Sequence, residues 1–481
     1  MSSPGLIFAR VRQIVRLRPH DTSTLDGRSH ERYRRMILSS VAALCARAVG
    51  LLTSLVSVPL TFHYLGAERY GLWMVLISFI SAMGFADLGI GNGLMNAVAE
   101  AYGKDDHDLA RRYVTSALAL MLGIAVVLVL AGSAAYPFIP WARVFNVRSA
   151  AVAAEGAAAF LVLFGWFVVN IPLGVITRAQ AGLQRDYWSQ TISACGNIIS
   201  LLGLIVVIVF HGSLAWLVFA STFGTVLATL ANGWVLFRAC PWLLPRWRAF
   251  QAHAAIRILK MGLLFFVLQC AGAVAFTSDN IVIARVLGVA AVAVYAVPQK
   301  LFTFVSMLFS MGLTPIWPAY TEAAARNDAA WVRRAFRNML GVTLGISVPV
   351  CLLFAVTGPW IVHAVVSKSL PVPVHLYWAL AAWTVIATTT AAMSIVLNGL
   401  GILKAQAFIG VVGSTVNLAL SIFLTMRLGV VGVCLGSIIA QVLIVFPFDA
   451  FVIRRAFRQM TPTWLDPEQA PALQQQASIE I

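Results

Sequence analysis

The chain alternates long apolar runs with short polar stretches. A run of about 20 apolar residues crosses roughly 30 Å of hydrocarbon as a helix. Twelve spans are predicted on that basis, near 37–63, 71–99, 113–138, 157–181, 189–211, 213–237, 260–285, 292–319, 336–362, 374–400, 405–427 and 430–452. The polar punctuation between them repeats. Leu65, Gly66, Glu100, Asp106 and the pair Arg111–Arg112 reappear as Leu287, Gly288, Glu322, Asp328 and Arg333–Arg334, each 222 residues further on. Six spans lie in each half, and an even number gives both halves the same orientation, so a parallel internal repeat is predicted, of the kind that many secondary transporters carry. The expected organisation is a basic tail at 1–36, an N-terminal six-helix lobe at 37–237, a linker at 238–259, a C-terminal six-helix lobe at 260–452 and a second tail at 453–481.

Composition agrees with that pattern and excludes a water-soluble fold. Only 11% of residues are charged and 60% are hydrophobic, against about 25% charged in soluble domains. The fold class is therefore all-α and polytopic. Most of the 34 Lys and Arg residues sit in the termini and the even-numbered loops, so the positive-inside rule puts both termini in the cytoplasm. The net charge of +16 then reads as attraction to anionic headgroups. It does not point to nucleic acid, because no soluble segment is long enough to present a folded basic face.

The N-terminal stretch GLIFARVRQIVRLR places Ile7, Val11, Ile14 and Val15 on one face among arginines, as in a helix lying on a membrane surface. Its apolar positions are not contiguous enough for a signal-peptide core. The linker RACPWLLPRWRAFQAHAAIRILK, with Trp242 and Trp247, is predicted to form an interfacial helix. The six cysteines have no CxxC spacing and the eight histidines stand singly, so neither a disulfide framework nor a metal site is expected. No P-loop motif is present, and no cofactor is implied.

Chemistry in such a chain belongs to ionisable residues inside the spans, since a charge at the bilayer centre costs at least about 2.5–3.5 kcal/mol. Arg47, Asp87, Asp279 and Lys300 meet that description. Arg47 and Asp87 flank the turn between the first two spans at equal separation, and Asp279 and Lys300 flank the turn between spans seven and eight, so each half is predicted to carry one opposite-charge pair at matching depth. Gly84, Gly89, Gly91 and Gly93 around Asp87 predict a bend there, with Pro172, Pro298 and Pro315 as further kink sites. Arg178 lies near the cytoplasmic end of span four. The repeated charges Glu100, Arg111, Arg112, Glu322, Arg333 and Arg334 are expected to form a cytoplasmic latch between the lobes.

The stretches LGAERYGLW, ADLGIGNGL and AEAYGKDD resemble the first helix-loop-helix of bacterial polysaccharide flippases, in the multidrug/oligosaccharidyl-lipid/polysaccharide exporter superfamily. TSDNIVIARVLGVAAVAVYAVPQKL, with Asp279, Tyr295 and Lys300, is similar to that family's segment joining helices seven and eight, and NGLGILKA at 398–405 is a further match. The resemblance implies two lobes in a V around a central cavity, in the inner membrane of a bacterium. It further implies transfer of an undecaprenyl-pyrophosphate-linked oligosaccharide from the cytoplasmic to the periplasmic leaflet, with proton or sodium coupling as in relatives. The implied partners are that lipid-linked cargo, membrane lipids, a polysaccharide polymerase and a chain-length regulator, with the flippase itself a monomer. On this reading Arg47 and Lys300 bind the pyrophosphate, because Arg suits phosphate oxygens through its fork and Lys supplies a point charge. Arg178 is an entry contact, and Asp87 and Asp279 exchange the coupling ion. Asn170, Asn197, Gln269 and Asn417 are candidates for sugar hydroxyls. A drug or organic-cation antiporter of the same superfamily remains open, as does a membrane polysaccharide polymerase or ligase, although the longest odd-numbered loop, 139–156, carries no Glu/His/Asp cluster.

Overall fold

The computed structural model describes residues 20–21, 23–82, 86–141, 150–366 and 372–460. Among these the fold is helical throughout, with no strand. The helices are α1 (Leu25–Ala82), α2 (Ile90–Gly103), α3 (His107–Ala135), α4 (Ala150–Gly182), α5 (Asp186–Val209), α6 (Leu214–Ala239), α7 (Ala252–Leu287), α8 (Val289–Leu313), α9 (Ile316–Ala325), α10 (Ala329–Val366), α11 (Val374–Gly399), α12 (Leu403–Leu428), α13 (Val431–Ala440) and α14 (Phe446–Gln459). Large apolar side chains such as Leu52, Leu55, Leu130 and Leu353 remain exposed, which is the expected surface where lipid is the solvent.

Eleven stretches among the described residues are long and apolar enough to cross a membrane. The second predicted span, 71–99, departs from a continuous helix. Its first part completes α1 and its last part is α2, with a turn at 86–89 where Leu88 and Gly89 adopt φ of 50° and 69°. A second interruption, at Thr314 and Pro315, separates α8 from α9, because Pro315 has no amide hydrogen to continue the ladder.

The molecule divides into two compact units, Met1–Leu263 and Leu264–Ile481. The division falls inside α7, a little later than the expected lobe start at 260. In unit 1, α4 packs against α2, α3 and α6, and α5 against α1 and α6. Its larger core gathers Leu94, Val98, Tyr113, Val114 and Leu183 with Ile258 from the start of α7. Glycine permits the last of these contacts: a Cβ on Gly93 would lie 2.9 Å from the Ile258 carbonyl, and one on Gly262 would lie 2.9 Å from the Ile90 Cα. In unit 2, α11 packs against α8, α9 and α10, and α12 packs against α13. The core there is built from Ile283, Tyr295, Phe302, Tyr377 and Val433.

The 222-residue register carries through to backbone geometry. Gly66 and Gly288 each turn the chain between two long helices with φ/ψ of 70°/174° and 91°/161°, a region open to glycine because it lacks a Cβ. Asp105 and Asn327 both have φ of 56°. Asp106 accepts from the Leu109 amide at 2.8 Å and Asp328 from the Trp331 amide at 3.2 Å, so the same residue caps α3 and α10.

The termini and linker differ from expectation. The region from Leu25 to Met36 is not tail but the first turns of α1, where Glu31, Arg32 and Arg34 are buried. The candidate surface helix before residue 20 and the tail after 460 lie outside the described residues. Between α6 and α7 there is no interfacial helix; two 3₁₀ turns, Pro241–Leu243 and Trp247–Ala249, are stitched to the start of α3. Arg246 and Gln251 donate their amides to Thr115 and Ser116, and Trp242 stacks on His107 at 4.1 Å. Pro241 and Pro245 explain the missing helix, since neither can donate to a helical ladder.

Candidate transport site

The broken second span supplies a charged site within unit 1. Asp87 lies in the turn before α2 and its Oδ1 accepts from the Gly89 amide at 3.0 Å. Arg178, from α4, donates to Asn92 Oδ1 at 2.8 Å. A Cβ on Gly91 would come within 2.9 Å of Arg178 Nε and 3.0 Å of Asp87 Oδ2. Carboxylate and guanidinium therefore close over the first turn of α2, and glycine at 91 leaves the room. The N-terminus of α2 carries the positive end of its helix dipole, so this place joins a fixed cation and a partial positive charge with the Asp87 carboxylate, and Asp186 at the start of α5 also feels the Arg178 charge.

Asp87 thus sits with Arg178 and not with Arg47. Equal depth requires a straight helix from the Gly66 turn to Asp87, but α1 ends at Ala82 and Asp87 lies in the turn beyond it. Arg47 is exposed on α1 and, among the described residues, makes no hydrogen bond or ion pair.

In unit 2 the partner of Asp279 is Tyr295. The Tyr295 hydroxyl donates to Asp279 Oδ2 at 2.8 Å and accepts from Gln299 Nε2 at 3.2 Å. Asp279 is 3% exposed, and its Oδ1 has no hydrogen-bond partner. Lys300 is exposed and makes no ion pair with it. The helical phase explains this: five residues turn a helix by about 140°, so once Tyr295 faces Asp279, Lys300 points elsewhere.

The repeated charges are used inside their own units. Glu100 pairs with Lys104 at 2.7 Å and with Arg257 at 2.6 Å, and Arg257 also donates to the Tyr113 hydroxyl at 2.5 Å. Burial favours the neutral form of the Glu100 carboxyl, but the hydrogen bond from Lys104 and the charge of Arg257 outweigh it and hold the group below its ordinary range. Glu322 pairs with Arg326 at 2.8 Å, the same i,i+4 contact one repeat later. Arg111 donates to the Trp242 carbonyl at 2.6 Å, and Arg333 donates to the Phe457 carbonyl. Arg112 and Arg334 are exposed. Glu100, Arg111 and Arg333 thus make these contacts within their own units.

Among the amide candidates, Asn170 bonds back to Trp166 in its own helix, and Asn417 ties the Ala275 carbonyl to Ser421 and Ser437. Asn197 lines a cavity in unit 1. Two features were missed in the sequence. Asp449, inside the last predicted span, is 1% exposed with its Oδ1 unpartnered, and its charge within an apolar run was the available signal. The second is a knot at the start of α1, where Glu31 binds Arg34 and Arg35, and Arg35 reaches the Tyr102 hydroxyl and the Leu183 carbonyl. The i+3 and i+4 spacing of HERYRR was its signal.

Residues 39–324 match the model of the family described as polysaccharide biosynthesis protein. A protein of Salmonella typhimurium named as an O-antigen transporter is 23% identical over 419 residues, covering 82% of this chain and 90% of its own length. A protein of Yersinia pseudotuberculosis named as an O-antigen export protein is 22% identical over 311 residues, covering 60% of this chain and 66% of its own length. Among solved structures, a MATE transporter in complex with MaD3S matches with a TM-score of 0.73 at 15% identity over 89% of this chain and 97% of that one. A transporter of the same superfamily from Pyrococcus furiosus, described as having a binding pocket of reversed polarity, matches with a TM-score of 0.71 at 16% identity over 89% of this chain and 96% of that one. These structural likenesses establish a shared fold.

Proposed function

Because the chain belongs to the polysaccharide biosynthesis family, whose flippases are transporters of the multidrug/oligosaccharidyl-lipid/polysaccharide superfamily and not enzymes, we propose that it flips a polyprenyl-pyrophosphate-linked oligosaccharide repeat unit. The direction is from the cytoplasmic to the periplasmic leaflet of the bacterial inner membrane, with both termini in the cytoplasm. The names of the Salmonella and Yersinia relatives support O-antigen units as the cargo class. Transport proceeds by alternating access, and the polymerase and chain-length regulator act on the delivered unit.

The observation that carries this reading is the site over α2, where Arg178 and a helix N-terminus meet at a break in a membrane span. A discontinuous helix whose N-terminal end faces an anionic group is a recurrent way to bind such a group inside a membrane. In this reading Arg178 receives the pyrophosphate, and Asn92 holds the guanidinium, with Asp87 beside it, while the site is empty. Arg47 and Lys300, exposed and without carboxylate partners among the described residues, are additional cargo cations. Asp279 serves the coupling ion through its unpartnered Oδ1.

Reconstitution in liposomes tests the proposal. A polyprenyl-pyrophosphate oligosaccharide presented on one face becomes accessible on the other with the wild type and not with Arg178→Ala. Arg178→Lys restores part of the rate, because a point charge replaces a bidentate fork. Wild-type liposomes that leave the glycan on its original face overturn the proposal. The buried acids Asp279 and Asp449 favour organic-cation antiport as the second reading, which predicts accumulation of cationic dyes in the same liposomes.

A further inference from the structure

Unit 1 has an open-sided cavity of about 340 Å³ that the charged site does not use. It lies between the two arms of α1 around the Gly66 turn, with α5 and α6 closing it. One wall is a ladder of small hydroxyls on the first arm of α1: Thr53, Ser54, Ser57 and Thr61. Asn197 and Ser200 from α5 and Ser221 from α6 face them, and Tyr70 and Trp73 from the second arm complete the lining.

Among the described residues the cavity has no ionisable side chain apart from the Tyr70 phenol, and no Asp, Glu, Lys, Arg or His borders it. It therefore suits neither a pyrophosphate nor an organic cation. Val58, Met74, Ile77, Leu201 and Leu204 add an apolar side, so the cavity sets a row of hydroxyls against apolar surface. Thr53, Ser57, Thr61 and Ser221 direct their hydroxyl protons to carbonyls of their own helices at 2.9, 3.3, 2.7 and 2.8 Å, which leaves oxygen lone pairs free to accept from an occupant. Ser200 Oγ is buried without a partner. The Asn197 amide and the Tyr70 hydroxyl also make no hydrogen bond among the described residues, so donors are available as well. An unpartnered buried hydroxyl at membrane depth is costly, so Ser200 calls for water or a polar ligand.

Trp73 and Tyr70 narrow the choice of ligand. An aromatic face beside a row of donors and acceptors matches a ring with an apolar C–H face and hydroxyls around its edge. The volume falls in the range of small-molecule sites, about 300–1,000 Å³. We infer that this cavity is a glycan subsite: the hydroxyl ladder of α1, with Asn197, Ser200 and Trp73, binds a neutral sugar of the lipid-linked cargo. The inference rests on the flippase reading and adds to it a separate place for the glycan, within unit 1 and apart from the arginine that receives the pyrophosphate.

The test uses the full-length protein in nanodiscs and two probes, bare undecaprenyl pyrophosphate and the same lipid carrying one N-acetylhexosamine. The wild type binds the glycosylated probe about tenfold more tightly than the bare one. The Ser57→Ala, Ser200→Ala double variant loses that difference while its affinity for the bare lipid is unchanged. Ser54→Trp, which fills the cavity from its open side, does the same, and matched thermal unfolding confirms that both variants are folded. Equal losses on the two probes, or no loss on either, overturn the subsite and leave the flippase reading standing. So does a wild type that binds the two probes equally. Binding of neither probe by the wild type overturns both.

Discussion

Arg111 and Arg333, 222 residues apart, do the same thing in their own units: each reaches from the start of a long helix to a backbone carbonyl far along the chain, that of Trp242 in the 3₁₀ turn after α6 for one and that of Phe457 in α14 for the other. Hydrogen bonds made by charged groups contribute about 1.5–3 kcal/mol when partly buried. Arg111→Ala is therefore expected to lower unfolding stability by that amount, and Arg112→Ala, at the exposed neighbouring position, by less than 0.5 kcal/mol or so. Thermal unfolding of the purified protein in detergent distinguishes them. Equal effects would show that the general positive charge matters and the carbonyl contact does not.

Glu100 gives a pH dependence with a definite sign. Its carboxyl is held below the ordinary value of 4.5, because Lys104 and Arg257 together outweigh burial. A folded-state value below the unfolded one contributes stability above the unfolded value and loses it as pH falls through the folded one. Unit 1 is thus expected to lose stability as the medium is acidified below about pH 4.5. Glu100→Gln removes this component, so the difference between wild type and variant should shrink with acidification. A difference that stays constant over that window would exclude the ion pair as its source.

Much of this architecture was legible because polar residues are scarce in a membrane chain and each carries information. The offset joining Glu100 to Glu322 and Asp106 to Asp328 proved to be shared capping and i,i+4 pairing, since caps and turns depend on local residue type. The bend at Asp87 was legible for the same reason: four glycines weaken the helix around it. Which side chains meet across helices was not. Depth alone pairs Arg47 with Asp87 and Asp279 with Lys300, whereas contact also requires azimuth: Asp87 lies in the turn beyond the end of α1, and on α8 it is Tyr295 that faces Asp279. Arg257 was hidden for another reason. It was counted in a linker, but it belongs to a helix whose first turns pack into unit 1 through Gly93 and Gly262.

Gly91 offers a test of the site over α2 that leaves the charges in place. Its missing Cβ would contact Arg178 Nε, Asp87 Oδ2 and Arg178 Cγ at 2.9, 3.0 and 3.1 Å, all of them side-chain atoms, so both side chains must shift to admit a methyl group. Gly91→Ala is expected to fold with near wild-type stability, since removing a helical glycine offsets part of the displacement. Transport should nevertheless fall by roughly tenfold, about 1.4 kcal/mol, because the guanidinium is pushed off Asn92. Unchanged flipping by Gly91→Ala would mean that the geometry of Arg178 is not used.

Tyr295 and Lys300 separate the two roles first assigned to a single charge pair. Tyr295→Phe removes the hydroxyl that donates to Asp279 and leaves a buried carboxyl with no donor on either oxygen, given that Oδ1 is already unpartnered. Stranding a buried acceptor costs about 1–3 kcal/mol, and more if it is charged. The variant should therefore be destabilised, and Asp279→Asn should be destabilised less because its amide carries no charge. If Asp279 also exchanges the coupling ion, both variants alter the dependence of transport on the ion gradient. Lys300→Met should leave stability and gradient dependence unchanged and weaken cargo binding alone, since Lys300 is exposed and does not touch Asp279. The measurements are unfolding midpoints and liposome flipping rates with and without an imposed gradient. A Lys300→Met variant that becomes insensitive to the gradient would return Lys300 to the coupling site and refute this division of roles.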